Sequence, residues 1–130
     1  MATLLNRIDF KNQVFKRQNN KCAFCGEPAV DAHHILERKL FEDGGYYLDN
    51  GIAVCAKHHL MLERDEITVQ EARDSIEISV KILPENFKKD LEYDKWGNII
   101  KDEHSRLKGP IFDDDGCQKA LKLKLWMFEN

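Results

Sequence analysis

Apolar positions along the first eighteen residues recur at helical spacing. In NRIDFKNQVFKRQ, residues 6–18, Ile8, Phe10, Val14 and Phe15 fall near one face, and Lys11, Lys16 and Arg17 lie elsewhere. This predicts an N-terminal helix that Asn19-Asn20 ends. The pattern then shortens. Residues 30–36 and GIAVC, residues 51–55, read as two short strands separated by a loop that holds Gly44-Gly45. From Ala56 to about Asp65 the helical period returns, with Leu60 and Met61 as candidates for burial. Thr68 followed by Glu71 fits a capping box and predicts a short helix from Val69. Ile76, Ile78, Val80 and Ile82 alternate with Glu77, Ser79 and Lys81, which predicts a strand that Pro84 stops. YDKWGNII predicts a turn at Gly97-Asn98 between short strands. Asp113, Asp114 and Asp115 precede a last helical segment, CQKALKLKLWMF, where acidic residues suit the positive end of a helix dipole. Short strands mixed with short helices, without repeats, predict an α+β fold.

Composition narrows the class. A chain of 130 residues is enough for one modest core, or for a small module with an extension. Charged residues at 33% and hydrophobic ones at 42% describe a globular, soluble protein. The opening MATLLNRIDFKNQVF holds no apolar run of signal-peptide or membrane-span length, so a cytoplasmic setting and no membrane partner are expected. In that setting thiols stay reduced, and Cys-x-x-Cys points to metal rather than to a disulfide. The net charge of −3 argues mildly against nucleic acid, but it is uneven. Residues 1–64 hold nine basic against eight acidic residues, and residues 65–130 eleven against fifteen. Any nucleic-acid surface therefore belongs to the N-terminal half, where bound divalent cations would add positive charge.

Candidate chemistry is concentrated between Cys22 and Glu63, which hold three of the four cysteines and four of the five histidines. Cys22-x-x-Cys25 supplies half of a tetrahedral zinc site, and Cys55-x-x-His58 has the spacing to supply the other half. The competing reading is a set of buried free thiols acting as small hydrophobes. His33 and His34 are adjacent on a predicted strand, so they point to opposite faces and can serve different ends. His59 and Glu63 are four apart on a predicted helix and share a face. Together with one strand histidine, they can form an open site for a hard-to-borderline divalent cation.

These residues carry a resemblance. Cys22-x2-Cys25, then DAHHI, DNGIAVC and CAKHH, resemble the HNH endonucleases, the ββα-metal family, over about residues 6–65. The resemblance implies a small ββα-metal core with a structural zinc site, approached by an N-terminal helix, in a module covering residues 1–65. Residues 66–130 would form a C-terminal α/β extension, packed on that module or used to dock a partner. Carried over by position, His33 and His59 are catalytic-metal ligands and Glu63 is a further ligand four residues on. His34 is the general base, and Asn50 braces the loop that carries it. Where zinc-containing members usually have Cys, this chain has His58, read as the fourth structural ligand. The implied cofactors are structural Zn²⁺ and catalytic Mg²⁺ or Mn²⁺. The implied reaction is hydrolysis of DNA phosphodiester bonds to 5′-phosphate and 3′-hydroxyl ends, and nothing in the sequence discriminates RNA from DNA.

A second reading from a different class is a catalytically inactive zinc-knuckle module that binds nucleic acid or protein. The presence of His34, Asn50 and His59 together favours the enzyme, because a binding module has no physical need for a base beside an open metal site. In the C-terminal half Trp96, Trp126, Phe112 and Phe128 are candidates for core. ALKLKLWMF is more apolar than a free helix needs, and as helix or strand it could support a homodimer or a larger protein partner. Cys117 is read as a buried or free thiol, and His104 as solvated.

Overall fold

The computed structural model describes residues 2–129. Among these the chain forms four α-helices and two small sheets, an α+β fold. Helix α1, Arg7–Arg17, starts where the Asn6 side chain accepts from the Asp9 amide, and ends before Asn19 and Asn20, both left-handed. Phe10 and Val14 are buried, whereas Ile8 faces solvent.

Strands β1, Asp31–His34, and β2, Gly51–Val54, pair antiparallel with His33 opposite Ile52 and His34 opposite Gly51. The period of two divides their side chains. Ala32 and Ala53 pack with Phe10 and Val14 of α1, while Ile52 and Val54 join Cys22, Ile35, Leu36 and Leu62 in the larger core. Gly51 lets α1 lie close: a Cβ there would sit 2.5 Å from Val14 Cγ2 and 2.7 Å from Phe10 Cζ. The end of α1 is also tied to β2 by polar bonds. Arg17 donates to the carbonyls of Leu48 and Gly51, and the Gln18 amide group pairs with both the N–H and C=O of Ala53.

Helix α2, Ala56–Glu63, follows β2 directly. Leu62 supplies its buried side chain; Leu60 is exposed and Met61 only half-buried, so the helix is rotated from the orientation expected. Helix α3, Val69–Ser75, carries the capping box, with both Thr68–Glu71 bonds at 3.0 Å.

The alternating segment 76–82 forms no strand, contrary to expectation. Glu77 is left-handed in the turn that closes α3, and among the described residues no neighbouring strand offers a ladder. Ile76, Ile78 and Leu83 instead pack singly on the larger core, and Val80 is exposed.

Strands β3, Glu92–Tyr93, β4, Ile99–Asp102, β5, Ser105–Leu107, and β6, Phe128–Glu129, make the second sheet in that order. The expected turn between β3 and β4 is present, with Gly97 at φ +81°. Asp94 organises it from within: its carboxylate accepts from the amides of Trp96 and Asn98, the Asn98 side chain and Arg106. Arg106 also pairs with Asp65 at 2.7 Å, and Lys124 meets the same carboxylate at 2.9 Å. This buried network holds the second sheet against the end of α2.

The C-terminal segment departs from one continuous helix. Helix α4 runs only from Asp115 to Ala120, capped by Asp114, and the chain then turns to pair β6 parallel with β5. Leu121 and Cys117 are buried with Trp96, whereas Leu123 and Trp126 are exposed. Among the described residues, no helix is long and apolar enough to cross a membrane.

Candidate metal centres and the neighbouring histidine

The fold brings Cys22, Cys25, Cys55 and His58 together, with ligand atoms all within 4.8 Å of one another. A tight turn closes the first pair: the Cys22 amide donates to Glu27 O, Gly26 N donates to Cys22 O, and Gly26 is left-handed. The second pair spans the start of α2, where Cys55 is the N-cap and His58 lies in the first turn. Tetrahedral zinc, with Zn–S near 2.3 Å and Zn–N near 2.05 Å, requires sulfurs about 3.8 Å apart and sulfur–nitrogen distances of about 3.6 Å. Cys25 Sγ and Cys55 Sγ are 3.8 Å apart, Cys22 Sγ lies 3.6 Å from His58 Nδ1, and Cys55 Sγ lies 3.2 Å from it. The donor set and its spacing are thus compatible with a zinc site. The fourth cysteine, Cys117, stands apart in the second sheet's core, where burial pushes its thiol up to about 11.

A second cluster lies on the α2 side of β1. Asp31, His33 and His59 offer ligand atoms within 4.8 Å of one another. Asp31 Oδ2 is 3.1 Å from His59 Nδ1, and the His33 and His59 rings are 4.8 Å apart. Glu63 stands outside this trio: its Oε1 meets the other ring nitrogen of His59 at 2.8 Å. Asp31 was not singled out from the sequence, although it is two residues from His33 on the same strand and so shares its face. His33 is buried, and its Nε2 has no hydrogen-bond partner. Burial, with smaller contributions from Lys95, His59 and His34, pushes its pKa down to about 2. A neutral, buried imidazole with an unpartnered nitrogen beside a carboxylate and a second imidazole suits a borderline divalent cation.

His34 points the other way, toward α1, where its ring stacks on Phe10 at 4.9 Å and meets Tyr46 edge-on. Its Nε2 is 3.0 Å from the Gly44 carbonyl. A carbonyl only accepts, so Nε2 carries the proton and Nδ1 of the neutral ring keeps its lone pair. Burial lowers the pKa of His34, partly opposed by that bond. The net lowering favours the neutral base at pH 7.

The loop that holds Gly44 is fixed by Asn50, which is buried beneath it. Asn50 Oδ1 accepts from the Leu36 amide at 3.0 Å, and Nδ2 donates to the carbonyls of Leu36 and Gly45, each at 3.2 Å. Adjacent carbonyls of one loop thus face Asn50 and His34. Gly44 and Gly45 both have positive φ, and a Cβ on Gly45 would strike the Phe41 ring at 2.6 Å. Around His34 a cleft of about 550 Å³ is lined by Arg7, Lys11, Arg38 and Asp31.

Lys95 was also not anticipated. It comes from the turn after β3, is almost wholly buried, and donates to Glu37 at 3.2 Å and to the His34 carbonyl at 3.4 Å. Nothing local in the sequence signals that this turn returns to β1.

Compared with models of known protein families, with curated proteins and with solved structures, the chain finds no match in any of the three.

Proposed function

We propose that this protein is a metal-dependent endonuclease of the HNH type, hydrolysing DNA phosphodiester bonds to 5′-phosphate and 3′-hydroxyl ends. The observation that carries the reading is His34. It is a neutral imidazole oriented by Gly44, in a loop braced by Asn50, on the strand that also bears two members of a cation-binding trio. Structural Zn²⁺ would be held by Cys22, Cys25, Cys55 and His58, and Mg²⁺ or Mn²⁺ by Asp31, His33 and His59. Glu63 would orient His59 through its far nitrogen.

In this reading the substrate phosphate lies along the edge of β1 that is not paired with β2, within reach of both faces of the strand. His34 Nδ1 accepts the proton of the attacking water, while the Gly44 carbonyl holds the ring in the productive tautomer. Arg7, Lys11 and Arg38 neutralise neighbouring phosphates in the cleft around His34. A divalent cation, when bound, supplies charge stabilisation at the scissile phosphate and its departing oxygen.

The test is cleavage of supercoiled plasmid by purified protein in Mg²⁺, Mn²⁺ or EDTA, beside His34→Ala. The reading expects metal-dependent nicking that falls about 10²–10⁴-fold in the variant. Equal nicking by folded His34→Ala refutes the assignment of the base. Duplex binding without cleavage would point to the inactive zinc-knuckle module.

A further inference from the structure

A second cleft, of about 430 Å³, opens on the other side of β1. Its walls include His33 and Glu63, with Arg64 from the end of α2, Lys95 from the second sheet and Lys119 from α4. Two of these three cations therefore come from the C-terminal extension. Lys95 is neutralised by Glu37. Arg64 and Lys119 are exposed and make no salt bridge among the described residues. The two clefts meet at the cation trio, because Asp31 lines the cleft around His34 and His33 lines this one.

We infer that this second cleft is an anion subsite built by the C-terminal extension. It would hold a further phosphate of the same nucleic-acid strand, so that the strand crosses the cation trio from one cleft to the other. The inference rests on the nuclease reading and adds to it residues outside the resembling segment. Arg64 and Lys119 supply two positive charges without a salt-bridge partner, against the single Glu63 carboxylate that lines the same cleft. The Lys95–Glu37 pair anchors the turn that forms the wall, together with the bond from the Glu37 amide to the Lys95 carbonyl at 2.9 Å.

The experiment measures binding of a fluorescent 16-base-pair duplex by His34→Ala protein as a function of salt, alone and with Arg64→Gln and Lys119→Gln added together. Both added sites are exposed, so the fold tolerates the changes; circular dichroism checks this. Each lost phosphate contact lowers the salt slope of log K by about 0.9. One phosphate is lost, so between 50 and 200 mM salt the variant carrying both changes should lose about 3.5-fold less affinity than its parent. Lys122→Gln, an exposed lysine outside the cleft, should leave the slope of the parent unchanged. An unchanged slope in the Arg64/Lys119 variant overturns the subsite. Plasmid cleavage by protein with an intact His34 is followed in parallel. Cleavage with no change of slope rejects the subsite and leaves the nuclease standing, whereas a lowered slope without any cleavage upholds the anion subsite and rejects hydrolysis. Failure of the parent to bind the duplex overturns the subsite, and the plasmid assay then decides the nuclease reading by itself.

Discussion

Replacing Asn50 by alanine removes the residue on which the loop and His34 both depend. The loss follows from its three hydrogen bonds. The Gly45 carbonyl keeps a second donor, the Tyr47 amide at 2.9 Å. The Leu36 N–H and C=O are left without their partner in a part of the core where Leu36 itself is wholly buried. Each stranded buried group costs about 1–3 kcal/mol, so Asn50→Ala should lose about 2–6 kcal/mol. That is a large share of the 5–15 kcal/mol typical of a domain. Urea titration followed by tryptophan fluorescence measures it, as a lowered midpoint at unchanged slope. Asn50→Asp sharpens the test. Its second oxygen faces the Leu36 and Gly45 carbonyls and must be protonated to donate, which raises its folded pKa above the unfolded value near 3.9. Relative to wild type, the aspartate variant should therefore be most stable at low pH and lose stability as pH rises through the folded pKa. A midpoint for Asn50→Ala within 1 kcal/mol of wild type would refute the reasoning. So would an aspartate variant that gains stability relative to wild type as pH rises.

Other expectations follow from the same packing. Gly51→Ala forces a methyl into Val14 and Phe10 and should cost about 1–3 kcal/mol in the same urea assay. Cys55→Ser removes a ligand from the Cys/His cluster, so it should abolish one equivalent of bound zinc and the sharp unfolding transition, read by metal analysis and thermal melting. In metal-free protein His33 stays neutral when folded down to about pH 2 but protonates when unfolded near 6.5. Its contribution to stability is present above pH 6.5 and falls by about 1.4 kcal/mol per pH unit below it, and a His33→Gln variant should show a shallower acid loss. Cys117 should resist alkylation at pH 8 in the native state and react only on unfolding, because it is buried and its thiol is pushed up to about 11.

Much of the first half was legible because its signals are local. Helical spacing marks α1 and Asn19-Asn20 its end, Thr68 marks the start of α3, and the segments 30–36 and 51–55 became β1 and β2. The four zinc-compatible ligands were readable from spacing alone, since each pair closes within one turn. The misreadings have a different origin. Alternation over 76–82 reads as a strand only if another strand lies beside it, and none does among the described residues. Leu60 and Met61 were preferred over Leu62 because helix phase is set by what α2 packs on, not by its own period. Asp31 escaped notice for want of a reason to extend the histidine pair backward by two residues. Lys95 was invisible because its place beside β1 depends on the Asp94–Arg106–Asp65 network, which joins segments far apart in sequence.

The most direct measurement follows zinc content and plasmid cleavage together while the protein is dialysed against graded EDTA and then resupplied with Mg²⁺ or Mn²⁺. Two separate sites predict that cleavage disappears first, with one zinc still bound and the fold intact, and that Mg²⁺ or Mn²⁺ restores it. Zinc-loaded, folded protein that cleaves nothing in any added metal, or cleaves equally without one, would contradict the account.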